Sequence, residues 1–182
     1  MEKSIIYFEK PGKVNTVKTL NLALKRAKEC GIKTIIVAST YGYTAQKALE
    51  ILEDTDQKYI IVGTDRNFFN KELLQILENK KIPIFFAREV EYPYQESMKN
   101  AFRKFSEGVK VCMDISMVAS EMGTVSEEKE IITVAGTGAS GFDDGGGADT
   151  ALIMIPRKSD QFNILPEKSK RREIKEIICK PR

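Results

Sequence analysis

The 182-residue chain contains no histidine. That absence removes Ser–His and Cys–His nucleophile pairs, imidazole proton shuttles and most catalytic zinc sites. Cys30, Cys112 and Cys179 are far apart and give neither a CxxC nor a zinc spacing, so buried free thiols are expected and a metal site is not. Chemistry would have to come from carboxylates, Lys, Tyr, Cys or a bound cofactor. No residue stands out as an acid–base catalyst. What the chain offers instead is a pair of stretches suited to holding an anion.

The first stretch is Ser39-Thr-Tyr-Gly-Tyr-Thr44, between an apolar run and a helical pattern. It carries hydroxyls at Ser39, Thr40 and Thr44, a glycine at Gly42, and free amides at the helix start that includes Tyr43. The helix dipole favours an anion there, so a phosphate could be held without any lysine. An ordinary capped helix start would also want Ser or Thr, and both readings stand.

The second stretch, Gly136-Thr-Gly-Ala-Ser-Gly-Phe-Asp-Asp-Gly-Gly-Gly147, holds half of the chain's 12 glycines. Packed amides in such a loop can form an anion-binding concavity; a mobile hairpin tip is the plainer alternative. It also spells Gly136-x-Gly138-x-x-Gly141. A dinucleotide fingerprint needs a helix directly after the glycines, and here a strand-like run follows. The stretch therefore reads as a hairpin, with Gly136, Thr137 and Gly138 as one wall of a site and the 142–147 tip as a flap. Asp149 and Thr150 lie where the chain re-enters the sheet. Asp149 could cap loop amides or accept a ligand hydroxyl. A third segment, Glu9 to Thr16, also follows a strand. Its Asn15 and Thr16 either cap a helix or face the same edge.

Positioning these loops requires a layered α/β fold. Strands are expected at 4–8, 34–38, 59–62, 83–87, 131–135, 150–155 and 174–179. Helices are expected at 17–30, with Leu20, Ala23, Leu24 and Ala27 as its apolar face, and at 45–52 and 71–79. A longer helical region runs from about Tyr94 to Met122, with Met98, Ala101, Phe102, Phe105, Val109, Cys112, Ile115 and Ala119 facing the core and Gly108 as a place where it could split. The early βαβαβ alternation implies a mostly parallel sheet with helices on both faces, and the late hairpin adds antiparallel edge strands. In open α/β sheets ligands gather at the carboxyl ends of the strands.

Composition is that of a globular protein, 42% hydrophobic and 30% charged, and the length suits one domain over residues 1–182. A net charge of +3 is too small to argue for nucleic acid or a membrane surface. No apolar run is long enough for a membrane span, and no signal-peptide core follows the start, so a cytoplasmic location is expected. The basic run 168–172 reads as a solvated turn, with a phosphate-contacting patch as the alternative.

Taken together, Ile35-Ile-Val-Ala-Ser-Thr-Tyr-Gly-Tyr-Thr-Ala45 resembles the strand, phosphate loop and helix start of the pyruvate kinase C-terminal domain. Ser39 or Thr40, Gly42, Thr44 and Ala45 match its Thr/Ser-x-x-Gly-x-Ser/Thr-Ala pattern. Glu127 to Thr137 resembles that domain's late helix, strand and ligand loop. Tyr7 to Thr16, Gly108-x-Lys-Val-Cys112 and Gly147-Ala-Asp-Thr-Ala-Leu152 resemble signatures of stand-alone pyruvate kinase alpha/beta-like proteins of archaea and some bacteria.

The resemblance covers nearly the whole chain. It implies a three-layer αβα sandwich with one antiparallel strand in a mostly parallel sheet. It also implies that the Ser/Thr loop holds a phosphate, as it does for a sugar-phosphate effector in pyruvate kinase. No pyruvate kinase activity is expected, because the catalytic barrel is a separate domain. In the stand-alone family the same edge is suited to flavin mononucleotide (FMN). Its phosphate would sit at Ser39–Thr44, and its ring and ribityl chain against Gly136–Gly138 and Asp149–Thr150. The chain departs from relatives that carry His after the third strand, reading Gly63-Thr-Asp-Arg-Asn-Phe-Phe69. The region after Ala87 is also shorter and less glycine-rich.

The leading expectation is binding of a phosphorylated small molecule, with FMN first among them. The alternatives are a flavin-dependent oxidoreductase and a non-catalytic regulatory or interaction module. The last could form homo-oligomers by pairing exposed strand edges.

Overall fold

The computed structural model describes residues 2–138, 146–162 and 174–182. The basic run 168–172 and most of the glycine-rich tip, with Gly141 of the GxGxxG spelling, lie outside the described residues. In chain order the elements are β1 (Ile6–Phe8), α1 (Thr16–Cys30), β2 (Thr34–Ala38), α2 (Tyr43–Leu52), β3 (Lys58–Gly63), α3 (Lys71–Asn79) and β4 (Ile84–Phe86). There follow α4 (Glu96–Arg103), α5 (Glu107–Glu121), β5 (Ile131–Ala135), β6 (Thr150–Met154) and β7 (Ile174–Pro181).

The strands form one seven-stranded sheet in the order β1-β7-β6-β5-β2-β3-β4. β2 pairs in parallel with both β3 and β5, β3 with β4, and β1 with β7. Only β6 runs the other way, antiparallel to both β5 and β7. The expectation of antiparallel strands at the edge is therefore corrected. The reversed strand lies inside the sheet, and the edges are the three-residue strands β1 and β4. The reason is β7, which covers the free side of β6 and is covered in turn by β1.

The sheet is covered on both faces, which explains the unbroken apolar run of β2. Ile35 and Val37 join the core beneath α1, α2 and α3, with Leu20, Ala23 and Ala27 of α1, Ala45, Ala48 and Leu52 of α2, and Leu73 and Leu77 of α3. Ile36, one residue out of phase, packs on the opposite face against Met113, Ile115, Val118 and Ala119 of α5. That alternation is the period-2 geometry of a strand buried on both sides.

The expected long helix is two helices, and Gly108 is not the break. The chain turns at 104–106, and the Ser106 hydroxyl accepts the Val109 amide at 3.0 Å to cap α5. Phe105, expected in the core, sits in this turn and is exposed, as is Ala101 of α4. Gly108 lies in the first turn of α5 because the helix crosses the start of β6 there. A Cβ on it would stand 2.1 Å from the Thr150 hydroxyl. Among the described residues, no helix is long and apolar enough to cross a membrane.

Candidate functional site

The sheet has a switch point at β2. The connections leaving β1, β2 and β3 pass through α1, α2 and α3 on one face. The connection into β5 comes from α5 on the other. Chains diverging to opposite faces leave a crevice beyond the carboxyl ends of β2 and β5. A cavity of about 560 Å³ occupies that crevice.

One wall is the β2–α2 loop, with Ser39, Thr40 and Thr44 lining the cavity. The Ser39 hydroxyl accepts the Ala45 amide at 3.1 Å, so Ser39 caps α2 from six residues upstream. Gln46 turns its amide back to the Gly42 carbonyl. The first N–H groups of a helix have no partner within it. The amides of Tyr43 and Thr44 thus remain at the open end of α2, where the dipole favours an anion. Gly42 holds the turn at φ 107°. The Thr40 and Thr64 hydroxyls meet at 3.2 Å, joining the β2 and β3 loops.

The opposite wall is made by Gly136, Gly138, Gly146 and Gly147, the described stems of the glycine-rich stretch. These stems pack tightly. A Cβ on Gly136 would lie 2.1 Å from the Gly147 carbonyl oxygen, and one on Gly147 would lie 2.4 Å from Lys13 Cα. At these two positions glycine serves close backbone approach.

Asp149 resolves the choice left open by its sequence position. It is fully buried, and its carboxylate accepts the Gly12 amide at 2.7 Å, the Thr137 amide at 3.1 and 3.2 Å, and the Thr150 hydroxyl at 2.8 Å. It is a loop cap. Asp149, Thr150, Thr137, Gly42 and Tyr43 support the walls without lining the cavity. Tyr43 lies under the Lys13 ammonium, 4.3 Å from its ring centroid.

Asn15 does not line the cavity either, and its side chain does not cap α1. It donates to the Lys10 carbonyl at 2.7 Å. Thr16 instead links α1 to the hairpin, donating to Lys13 O at 2.8 Å and accepting the Ala148 amide at 2.9 Å. Nor are all three thiols buried: Cys112 and Cys179 are, whereas Cys30 at the end of α1 is exposed.

The third wall lies outside the two anion-suited stretches of the sequence. It is the polar side of α5, with Glu107, Lys110 and Asp114, joined by Lys99 of α4 and by Arg88 and Tyr92 from the segment after β4. Three cationic and two anionic side chains therefore line the cavity. Lys110 pairs with Asp114 at 2.7 Å and with Glu107 at 3.6 Å, and Arg88 pairs with Asp65 at 2.6 Å. Burial pushes the Asp114 carboxyl above the usual carboxylate range, while its bond to Lys110 pulls it back. Burial, then the Asp114 charge, raises the Tyr92 phenol to about 12, so Tyr92 stays a neutral hydroxyl at physiological pH.

A family model for the pyruvate kinase alpha/beta domain matches residues 17–154. The chain belongs to that family. The match runs from α1 to β6, so every cavity-lining residue of this alpha/beta domain lies within it, while β1 and β7 lie outside. Among solved structures, the crystal structure of a pyruvate kinase from Cryptosporidium parvum aligns at 14% identity with a TM-score of 0.40. That alignment covers 65% of this chain and only 20% of the other, so the chain spans about a fifth of that pyruvate kinase. The family shown is the alpha/beta domain alone.

Proposed function

We propose that this domain binds a phosphorylated small molecule in the crevice between β2 and β5, with FMN the first candidate. The observation that carries this reading is the cavity itself. At about 560 Å³ it falls within the range of small-molecule sites, roughly 300–1,000 Å³. Its position at the switch point of the sheet agrees with where such folds hold ligands. The phosphate would take the open amides of α2 and the hydroxyls of Thr40 and Thr44. The body of the ligand would lie between the glycine stems and α5. Both ends of such a molecule find polar partners, which is the sense in which the residues fit a flavin nucleotide. The protein would act in the cytoplasm and carry out no pyruvate kinase chemistry with these residues.

A bound flavin would supply hydride chemistry of its own. The titratable cluster of Tyr92, Lys110 and Asp114 beside the cavity favours an oxidoreductase as the second reading. The visible absorption spectrum of the purified protein, with and without added FMN, tests the first reading. Flavin absorbance that co-elutes with the protein supports it. No binding of FMN, a nucleotide panel, sugar phosphates or inorganic phosphate at high micromolar concentration removes it. Bleaching of the bound flavin by NADH or NADPH would support the second.

A further inference from the structure

We infer that Lys110 and Asp114 form a donor–acceptor pair that reads the heterocyclic end of the ligand, selecting a ring edge on which a carbonyl stands beside an N–H. This inference rests on the phosphate-binding reading above and extends it from the phosphate to the rest of the molecule.

The argument begins with an orphaned atom. Asp114 Oδ2 holds the Lys110 ammonium at 2.7 Å, but Oδ1 is buried and has no hydrogen-bond partner among the described residues. Both side chains are only 14% exposed. A buried carboxylate oxygen without a donor is costly, and native structures rarely leave one so. Asp114 also lines the cavity, so a donor on a bound molecule is what would satisfy it. An ionised carboxylate accepts only, whereas the neighbouring ammonium donates only. Side by side, the two complement an O=C–N–H edge: the ring N–H gives its hydrogen to Oδ1 and the ring carbonyl accepts from Lys110. A sugar phosphate has no such edge.

The placement along the fold agrees. Gly108 marks the carboxyl edge of the sheet, because it touches Thr150 at the start of β6. Asp114 lies six residues further along α5, about 9 Å down the helix axis at 1.5 Å per residue. A molecule anchored by its phosphate at the rim would thus present its far end to this pair. Ile115 and Val118, which also line the cavity, give an apolar surface for the flat of a ring.

The test uses the full chain and calorimetric titration with FMN, GMP, inorganic phosphate and ribose 5-phosphate. At least one of the two lactam nucleotides, FMN or GMP, should bind wild type tenfold or more tighter than ribose 5-phosphate. Asp114→Asn should erase that margin and leave phosphate affinity unchanged. A second arm needs no variant: wild type should lose tenfold or more in affinity when the ring N–H of whichever nucleotide it prefers is replaced by N–CH₃. Equal binding of nucleotides and ribose 5-phosphate overturns the inference and leaves phosphate binding standing. So does indifference to the N-methyl group or to Asp114→Asn. Failure of every probe, inorganic phosphate included, overturns the underlying reading and this inference with it.

Discussion

The amide of Gly12 donates to Oδ2 of Asp149 at 2.7 Å, joining loops that lie 137 residues apart in the chain. The same carboxylate holds the Thr137 amide and the Thr150 hydroxyl. One buried side chain thus ties the β1 loop, the end of β5 and the start of β6 into a single rim. Asp149→Ala leaves all three donors without their acceptor. A lost partner costs about 1–3 kcal/mol for each group that stays buried, and the loops can relax toward water, so a loss of about 3 kcal/mol is expected. Urea unfolding measures it. A loss below about 1 kcal/mol would show that the rim does not depend on this carboxylate.

Gly108 gives the second prediction. On an isolated helix Gly→Ala stabilises by about 1 kcal/mol. Here the new methyl would meet Thr150 Oγ1 at 2.1 Å and Thr150 Cβ at 2.7 Å. Overpacking should win, and Gly108→Ala should destabilise by about 1–3 kcal/mol despite its better propensity. A higher melting temperature in the variant would contradict the close packing of α5 on β6.

Ser39 separates capping from ligand binding. Its hydroxyl accepts the Ala45 amide, so Ser39→Ala should cost about 1 kcal/mol of stability, as cap removal does. Phosphate affinity should fall too, because α2 then loses the bond that fixes its first turn. A variant with unchanged unfolding midpoint and weakened phosphate binding would move Ser39 from a cap to a direct contact.

Asp114 predicts a pH dependence of defined sign. Burial is the main reason its carboxyl stands above its ordinary value of 3.8, with Lys110 opposing. The folded protein therefore holds this proton more tightly than the unfolded chain. Between 3.8 and the raised folded value, folding is coupled to protonation, and stability falls as pH rises. The contribution is whole below the unfolded value and gone above the folded one. Asp114→Asn lacks this proton. The stability of wild type minus that of the variant should decline as pH increases through that window. Parallel stability curves would show that the carboxyl titrates normally.

The thiols divide by exposure. Cys30 is exposed, whereas Cys112 and Cys179 are buried and burial pushes both thiols up, Cys179 to about 12. A thiol-exchange reagent should modify Cys30 rapidly in the native protein and the other two only after unfolding. Rapid modification of a second cysteine, located by mass spectrometry, would show that the core opens easily.

Much of the fold could be read from local pattern. The run Thr34–Ala38 has no polar break because helices cover both of its faces, and α1 shows its stripe because only one side of it is buried. The Ser39–Thr44 loop was legible for the same local reason: a strand followed directly by a helix puts amides and hydroxyls together. Phe105 reads as core from the sequence because an apolar residue in helical phase is indistinguishable from a core residue until the turn at 104–106 is known. The pair Lys110–Asp114 leaves no distinctive mark in the sequence because opposite charges four residues apart on a helix look like a solvated face.

The sequence by itself determined the layers, the strand–loop–helix that presents open amides, and the absence of any histidine-based chemistry. These depend on neighbours along the chain and on composition. The tertiary structure alone decided that β6 is interior, that Asp149 is a cap, and that α5 forms the third wall of the cavity. Each of these rests on contacts between segments tens of residues or more apart, and burial there turns an ordinary surface pair into a desolvated donor and acceptor.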